Sequence, residues 1–411
     1  MNYKAKRGTF DILPKDEDVW NIIQKTCFEI ARLSGYKYIE TPIFEDSKLF
    51  ERTVGIDTDI VEKEMYSFED KGGEYISLRP ENTAGVCRAF IENGLHNTTL
   101  PSRLFYYGPM FRYERPQSGR FRQFHQFGVE CIGDDSSSVD FEIIRIAWDI
   151  LNKLKFTNIE LNINSLGDPN DRFLYTESLK TYFSKYLNDL PKVDKLRLER
   201  APLRILDSKE EITIKISENA PKTLDYISSE SLKHHEELIL NLENLKSIDK
   251  SFTYRINNRL VRGLDYYNGT TFEITNMSSK SQNALLGGGR YDYLVESMGG
   301  PSTPAIGFAA GIERLLTEST IGDKNETIDF FISFDTHAER AIKIANQLID
   351  EGYSIHIDTL KKSEKNQLKN AIKMNASFFV RCNELIELKN LSSKEEYEIN
   401  DFAELKKFIK S

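Results

Sequence analysis

The stretch GPMFRYERPQSGRFRQFHQFGVE, Gly108 to Glu130, places Arg112, Arg115, Arg120 and Arg122 within eleven residues. Pro116, Ser118 and Gly119 mark a turn between its two halves. The pattern predicts two antiparallel strands joined by a basic loop. Arginines on such a hairpin suit polyphosphate, because the guanidinium fork pairs oxygens bidentately and stays charged. Phe121, Phe124 and Phe127 lie among them, and a ring there can stack on a base. Glu114 and Glu130 flank the hairpin as acceptors for a ligand amine or ring nitrogen. A solvated hairpin with ordinary surface ion pairs accounts for the same residues equally well.

Working outward, the chain bounds the choice. At 411 residues it is too long for one average core, so two or three domains are expected. The net charge of −9 argues against a generic nucleic-acid coat but leaves room for local basic patches. Cys27, Cys87, Cys131 and Cys382 are far apart and form no CxxC pair. A zinc site or disulfide framework is therefore not expected, and a reducing, cytoplasmic setting is. No apolar run approaches a membrane span, so no membrane partner is expected.

The apolar spacing of VWNIIQKTCFEIARLSGY predicts a helix stopped at Gly35, followed by extended chain in YKYIETPIFE. From Tyr75 to Ile132, short strands alternate with one helix, ENTAGVCRAFIENGL. Residues 137–155 read as another helix, and IELNINSLGD as a strand. From 168 to 253 the composition turns to long Lys/Glu/Leu segments, which predicts an inserted helical module. AIGFAAGIERLLTE reads as a helix with small residues early. LLGGGRYDYL lacks the GK[ST] of a P-loop; its glycines suit close backbone approach to a ligand or tight strand packing, and Arg290 and Asp292 suit a structural pair. After about 325, strands alternate with helices, which predicts a small α/β domain with a largely parallel sheet.

LVRGLDYYNGTTFEI, Leu260 to Ile274, reads mostly as a strand. Neighbouring strand side chains point to opposite faces, so Tyr266 and Tyr267 are not both expected in a core.

In order along the chain, five segments resemble the histidyl-tRNA synthetases, a family of class II aminoacyl-tRNA synthetases. The hairpin is similar to motif 2. GYKYIETPIFE resembles motif 1, with Pro42 on the dimer-forming strand. LRPENTAG resembles the loop that holds the amino acid's ammonium group. RGLDYYNGTTFE resembles a signature peculiar to this family. LLGGGRYDYL and AIGFAAGIERL resemble the run into motif 3, whose arginine is Arg314. The resemblance implies an α+β catalytic core on an antiparallel sheet (1–325), a helical insertion (168–253) and a C-terminal anticodon-binding-like α/β domain (326–411). It implies ATP-dependent ligation of L-histidine to histidine tRNA through a histidyl-adenylate, by a homodimer, with Mg2+ accompanying ATP and no protein metal ligands assigned.

Residue by residue, the resemblance puts Arg112 and Arg262 on the carboxylate and α-phosphate as the catalytic cations. It puts Glu81, Asn82, Thr83, Gln126, Glu130, Tyr266 and Tyr267 around the histidine. It gives ATP to Arg112, Glu114, Arg120, Phe124 and Arg314, and the tRNA acceptor end to Arg115, Gln117 and Arg122. Asp265 is expected to orient its neighbours. Glu81, Asn82 and Thr83 suit a helix cap as well as an ammonium, and both roles can hold together. Gln126 and Glu130, four apart, share a strand face. His125 is expected to be a packed hairpin residue, since a carboxylate nucleophile needs no base. In the C-terminal domain, Arg381-Cys382-Asn383 stand where the family has a glycine-acidic turn. Lys361, Lys362, Lys365, Lys369 and Lys373 read as a phosphate contact or as a solvated helix face. Two other readings compete with the ligase. One is a histidyl-synthetase-like regulatory subunit of ATP phosphoribosyltransferase; the other is a class II ATP-dependent ligase for another small acid.

Overall fold

The computed structural model describes residues 3–55, 58–117, 119–278, 284–319, 327–334, 337–359 and 363–410. Ser118, Lys361, Lys362 and the boundary near residue 325 lie outside these. The chain divides into two compact units, Met1–Ile12 with Val19–Ile321, and Leu13–Asp18 with Gly322–Ser411.

The first unit begins with α1 (Glu17–Leu33), β1 (Lys37–Tyr38), β2 (Phe44–Asp46), α2 (Ser47–Val54), β3 (Tyr66–Glu69), β4 (Tyr75–Leu78) and α3 (Thr83–Glu92). The hairpin β5 (Ser102–Phe111) and β6 (Gln123–Ile132) follows, then α4 (Ser137–Lys153) and β7 (Ile159–Ser165). The segment between β7 and β8 (Tyr254–Ile256) is helical, with α5 (Pro169–Ser184), α6 (Lys192–Arg200), α7 (Glu211–Ser217) and α8 (Ser229–Ile248). β9 (Asn268–Asn276), β10 (Ala284–Arg290), α9 (Leu294–Ser297), β11 (Ala305–Gly311) and α10 (Ile312–Glu318) complete the unit.

These strands form one sheet in the order β1-β5-β6-β11-β10-β9-β7-β8, antiparallel throughout except for its two parallel edges. The predicted hairpin is its spine: β5 and β6 pair over ten positions, from Ser102 opposite Ile132 to Phe111 opposite Gln123. Alternation along β6 then sorts the side chains. Phe127, Val129 and Cys131 are fully buried in the core formed with α1 and α4, whereas Gln126 and Glu130 share the opposite face. Burying a Phe or Val side chain is worth roughly 1.5–3 kcal/mol. A one-residue slip would lose that and drive Glu130 among the helices, so the register is strongly fixed.

Within the helical segment, Tyr175, Leu179, Phe183, Leu198 and Ile205 form a separate small core. Leu238 and Leu242 of α8 instead join the main core beneath α4.

Two expectations within this unit fail. Ala305–Gly311 is a strand, not the start of a helix; the helix begins at Ile312. The small residues serve close strand packing, since a Cβ on Gly307 would collide with the Glu130 carboxylate and the Val129 carbonyl. Leu260–Tyr267 is a loop, and the strand begins only at Asn268.

The second unit holds β12 (Ile328–Ile332), α11 (Ala338–Asp350), β13 (Ile355–Ile357), α12 (Glu364–Lys373), β14 (Ala376–Cys382), β15 (Ile386–Asn390), β16 (Glu396–Ile399) and α13 (Phe402–Lys410). Its sheet, β13-β12-β14-β15-β16, is mixed rather than largely parallel: β14, β15 and β16 run antiparallel. Short links leave no room for crossover helices there, and only hairpins fit. Arg381 bonds Glu387 across that hairpin at 2.7 Å. Lys365, Lys369 and Lys373 are exposed along α12.

Candidate active site

The site is built on the face of β6 that carries Glu130. Its carboxylate is 1 % exposed and accepts hydrogen bonds from Thr83 Oγ1 at 2.8 Å and Tyr291 OH at 2.6 Å. Gly307 on β11 lies directly opposite, and only a residue without a Cβ leaves room for the acid. Burial pushes the Glu130 pKa up to about 8, against the pull of those two donors. Four residues earlier, Gln126 keeps its Oε1 buried with no partner among the described residues. Tyr291 follows the glycine run and was not expected in the site; the tyrosine of LLGGGRYDYL was the available signal.

The N-terminus of α3 forms a second wall. The Glu81 carboxylate accepts from the backbone N–H groups of Thr83 (2.7 Å) and Ala84 (3.0 Å), so it caps the helix. Burial raises its pKa, and those amides oppose the rise. Asn82 turns the other way: its Oδ1 accepts from Thr41 Oγ1 at 2.6 Å and from Arg79 at 3.4 Å. Thr83 instead bridges to Glu130.

The third wall is the loop before β9. Without a strand's alternation, Tyr266 and Tyr267 lie together, ring centroids 4.7 Å apart, and Tyr266 meets Tyr291 edge-on at 5.8 Å. Burial raises the pKa of both phenols, keeping them neutral. Arg262 ion-pairs with Glu273 at 2.8 Å, and its Nε is buried without a partner among the described residues. Gly287 makes space for it: a Cβ there would strike the guanidinium. Asp265 bonds through its N–H to the Val54 carbonyl at 3.1 Å and pairs with Arg172 at 3.6 Å, so it does anchor the loop.

The arginine-rich end of the hairpin lies beyond. Arg112 Nε donates to the Pro80 carbonyl at 2.8 Å, which ties motif 2 to the residue before Glu81. Its guanidinium sits 5.4 Å from the Phe124 ring centre. Arg120 pairs with Glu114 at 2.9 Å. Arg314 comes against Gly119, and its pKa is lowered by burial and then by Arg120. Gathering two like charges is costly unless an anion offsets them. His125 is indeed packed: its Nδ1 lies 3.0 Å from buried Glu313, and its ring meets Trp20 edge-on. That bond joins β6 to α10 beside Arg314. Arg115 and Gln117 are exposed at the hairpin tip. Arg122 is folded back, its guanidinium 3.8 Å over the Tyr113 ring and its stem against Gly8. Nearby, Arg290 pairs with buried Asp140 at 2.7 Å and with Asp292 at 3.1 Å, a structural cluster as expected.

Among the described residues no group of three or more His, Cys, Asp or Glu side chains is arranged to hold a metal ion. No helix among the described residues is long and apolar enough to cross a membrane.

The profile of the family described as histidyl-tRNA synthetase matches residues 8–170 and 180–315. The chain is 45 % identical to a histidine–tRNA ligase of Dictyoglomus thermophilum, covering all of both chains. It is 46 % identical to one of Halothermothrix orenii over 92 % of this chain and 91 % of that one. Its fold matches the crystal structure of apo histidyl-tRNA synthetase from S. aureus with a TM-score of 0.80, at 35 % identity, over the whole of both chains. The spine hairpin, the buried Glu130 corner and these full-length likenesses agree: the chain belongs to the histidyl-tRNA synthetase family.

Proposed function

We propose that the chain ligates L-histidine to histidine tRNA in two steps. In the first, a histidine carboxylate oxygen attacks the α-phosphate of ATP, forming histidyl-adenylate and expelling pyrophosphate. In the second, a ribose hydroxyl at the tRNA 3′ end displaces AMP. The first step needs positioned cations more than a base. Arg112 and Arg262 take the carboxylate and α-phosphate, where charge shifts most. Arg120 and Arg314 take the outer phosphates, Phe124 stacks on adenine and Glu114 accepts from its amine. Glu81, already seated on two amides, shares its remaining acceptor capacity with the ammonium, together with Gln126; Asn82 and Thr83 hold that wall in shape. Glu130, Tyr266 and Tyr267 enclose the imidazole. The acceptor end meets Arg115, Gln117 and Arg122, and a homodimer forms through motif 1, where Tyr38, Ile43 and Phe44 are exposed.

One observation carries this reading. A carboxyl held only by neutral hydroxyls, beside two neutral phenols, is an environment suited to an imidazole, and it adjoins an arginine-lined surface suited to a triphosphate. A site built of polar groups that suffer when left unpaired discriminates strongly against look-alike ligands. The same observation weighs against a purely regulatory subunit, which needs no paired arginines on both sides of the reacting centre. Histidine-dependent ATP–pyrophosphate exchange tests it. Arg262→Ala is expected to lower the exchange rate about 10²–10³-fold, the range for loss of one transition-state donor, with a much smaller rise in apparent KM for histidine. Near-normal turnover would leave Arg262 as no more than the partner of Glu273.

A further inference from the structure

Strand β6 is flanked on both sides along most of its length but not at its start. It pairs with β5 out to Gln123, whereas its ladder with β11 ends at Gln126, opposite Gly311. There β11 gives way to α10, and the strand carbonyl that would face the His125 N–H is replaced by the Glu313 carboxylate. Both carboxylate oxygens accept from the His125 backbone N–H at 2.9 Å, and Oε1 lies 3.0 Å from His125 Nδ1. An ionised carboxylate only accepts, so Nδ1 carries a proton in this contact. Glu313 is 4 % exposed, and hydrogen bonds to a charged acceptor are stronger than neutral ones. The His125 ring is gripped from two further sides, edge-on to Trp20 at 5.0 Å and stacked on Tyr107 at 6.0 Å.

Each end of this contact adjoins a residue given to ATP. Phe124 precedes His125 and faces the opposite side of the sheet, its ring centre 5.4 Å from the Arg112 guanidinium. Arg314 follows Glu313 and comes against Gly119 of the hairpin turn. The helix that carries it is short, Ile312–Glu318, and no side chain among the described residues caps its start. Buried Ile312 and Leu315 seat α10 in the core, but apolar contact is non-directional and sets a helix's rotation only loosely. Hydrogen bonds to one carboxylate are directional. We infer that His125 and Glu313 are positioning residues: they fix the outer end of β6 to α10 and so hold the Phe124 ring and the Arg314 guanidinium at one spacing for ATP. The inference rests on the ligase reading above and gives the packed histidine a part in it. The amino-acid half of the site is independent of this clamp, because Gln126 and Glu130 lie where β6 is paired on both sides.

Two variants of His125 separate positioning from packing. His125→Phe keeps an aromatic ring against Trp20 and Tyr107 but has no side-chain donor. His125→Asn loses the ring but places an amide N–H near the position of Nδ1. Calorimetric dissociation constants for ATP are measured beside histidine-dependent exchange and thermal melts. His125→Phe should weaken ATP binding and raise the KM for ATP roughly tenfold, the scale of one lost bond to a charged group, with the KM for histidine within about twofold of the parent. His125→Asn should melt below His125→Phe yet bind ATP within about threefold of the parent, because the donor is restored. Glu313→Gln replaces one accepting oxygen by an amide NH2 and should match His125→Phe. The double variant should add little to either, since both changes break one contact. ATP affinity that follows the ring, with His125→Asn weaker than His125→Phe, overturns the inference. So do parallel losses for ATP and histidine, or an unchanged ATP affinity in all the variants. If the parent shows no exchange but its variants' ATP affinities follow the donor, the clamp stands and the ligase reading falls.

Discussion

Glu130 concentrates the chemistry of the site in one side chain. In the unfolded chain it ionises near the ordinary value of 4.5, whereas in the folded protein burial holds it protonated up to about pH 8. Its folded pKa is raised, so its contribution to stability is greatest below the unfolded pKa and is lost as pH rises toward the folded one. Glu130→Gln removes the titration while keeping the volume. The amide's cost to the hydrogen bonds with Thr83 and Tyr291 is the same at every pH. Measured against the parent, the variant's melting temperature should therefore improve steadily from pH 5 to pH 8. Parallel pH profiles would show that Glu130 ionises as freely in the folded protein as in the unfolded chain. That Glu130 shares a face of β6 with Gln126 was legible from their four-residue spacing. Its partners were not, because Thr83 and Tyr291 lie 47 and 161 residues away and only tertiary packing brings them together.

Among elements, the hairpin was legible because alternation and turn residues are local signals, and β5–β6 pair as they suggest. Two others were misread for opposite reasons. Leu260–Tyr267 has strand-forming residues, but Arg172 takes the carbonyls of Asp265 and Tyr267 from outside, so the segment needs no ladder. Ala305–Gly311 has helix-compatible small residues, yet the sheet claims them because β6 and β10 approach too closely for side chains. Two glycines of these strands separate function from stability. A Cβ on Gly287 meets the far end of Arg262, which can swing away, whereas one on Gly307 meets the fixed Val129 carbonyl as well as Glu130. Gly287→Ala should keep a melting temperature within a few degrees of the parent and lower exchange at least tenfold, by displacing Arg262. Gly307→Ala should destabilise the protein by about 1–3 kcal/mol, the usual cost of overpacking. Denaturant melts and exchange rates on both variants check this; equal destabilisation would mean Arg262 is as rigidly held as the backbone.

Across the whole molecule, charge is distributed against its average. A net −9 repels nucleic acid at long range, so the tRNA must be drawn by local basic surface. The hairpin tip provides some of it, and its arginines are divided by exposure rather than by sequence. Arg112 is committed to Pro80 and Phe124, and Arg122 to Tyr113, while Arg115 is exposed. The family resemblance put Arg115, Gln117 and Arg122 together as acceptor contacts; the stacking of Arg122 makes Arg115 the cleaner probe of that role. Arg115→Ala should slow transfer to tRNA roughly tenfold, the scale of one lost charge-assisted hydrogen bond, and leave histidine-dependent exchange nearly unchanged. Single-turnover transfer from preformed adenylate, beside exchange on the same preparation, separates the two steps. The deficit should also shrink as salt rises, since a contact to phosphate is worth less when counterions compete for it. Equal losses in both steps would move Arg115 from the tRNA to the ATP side of the hairpin.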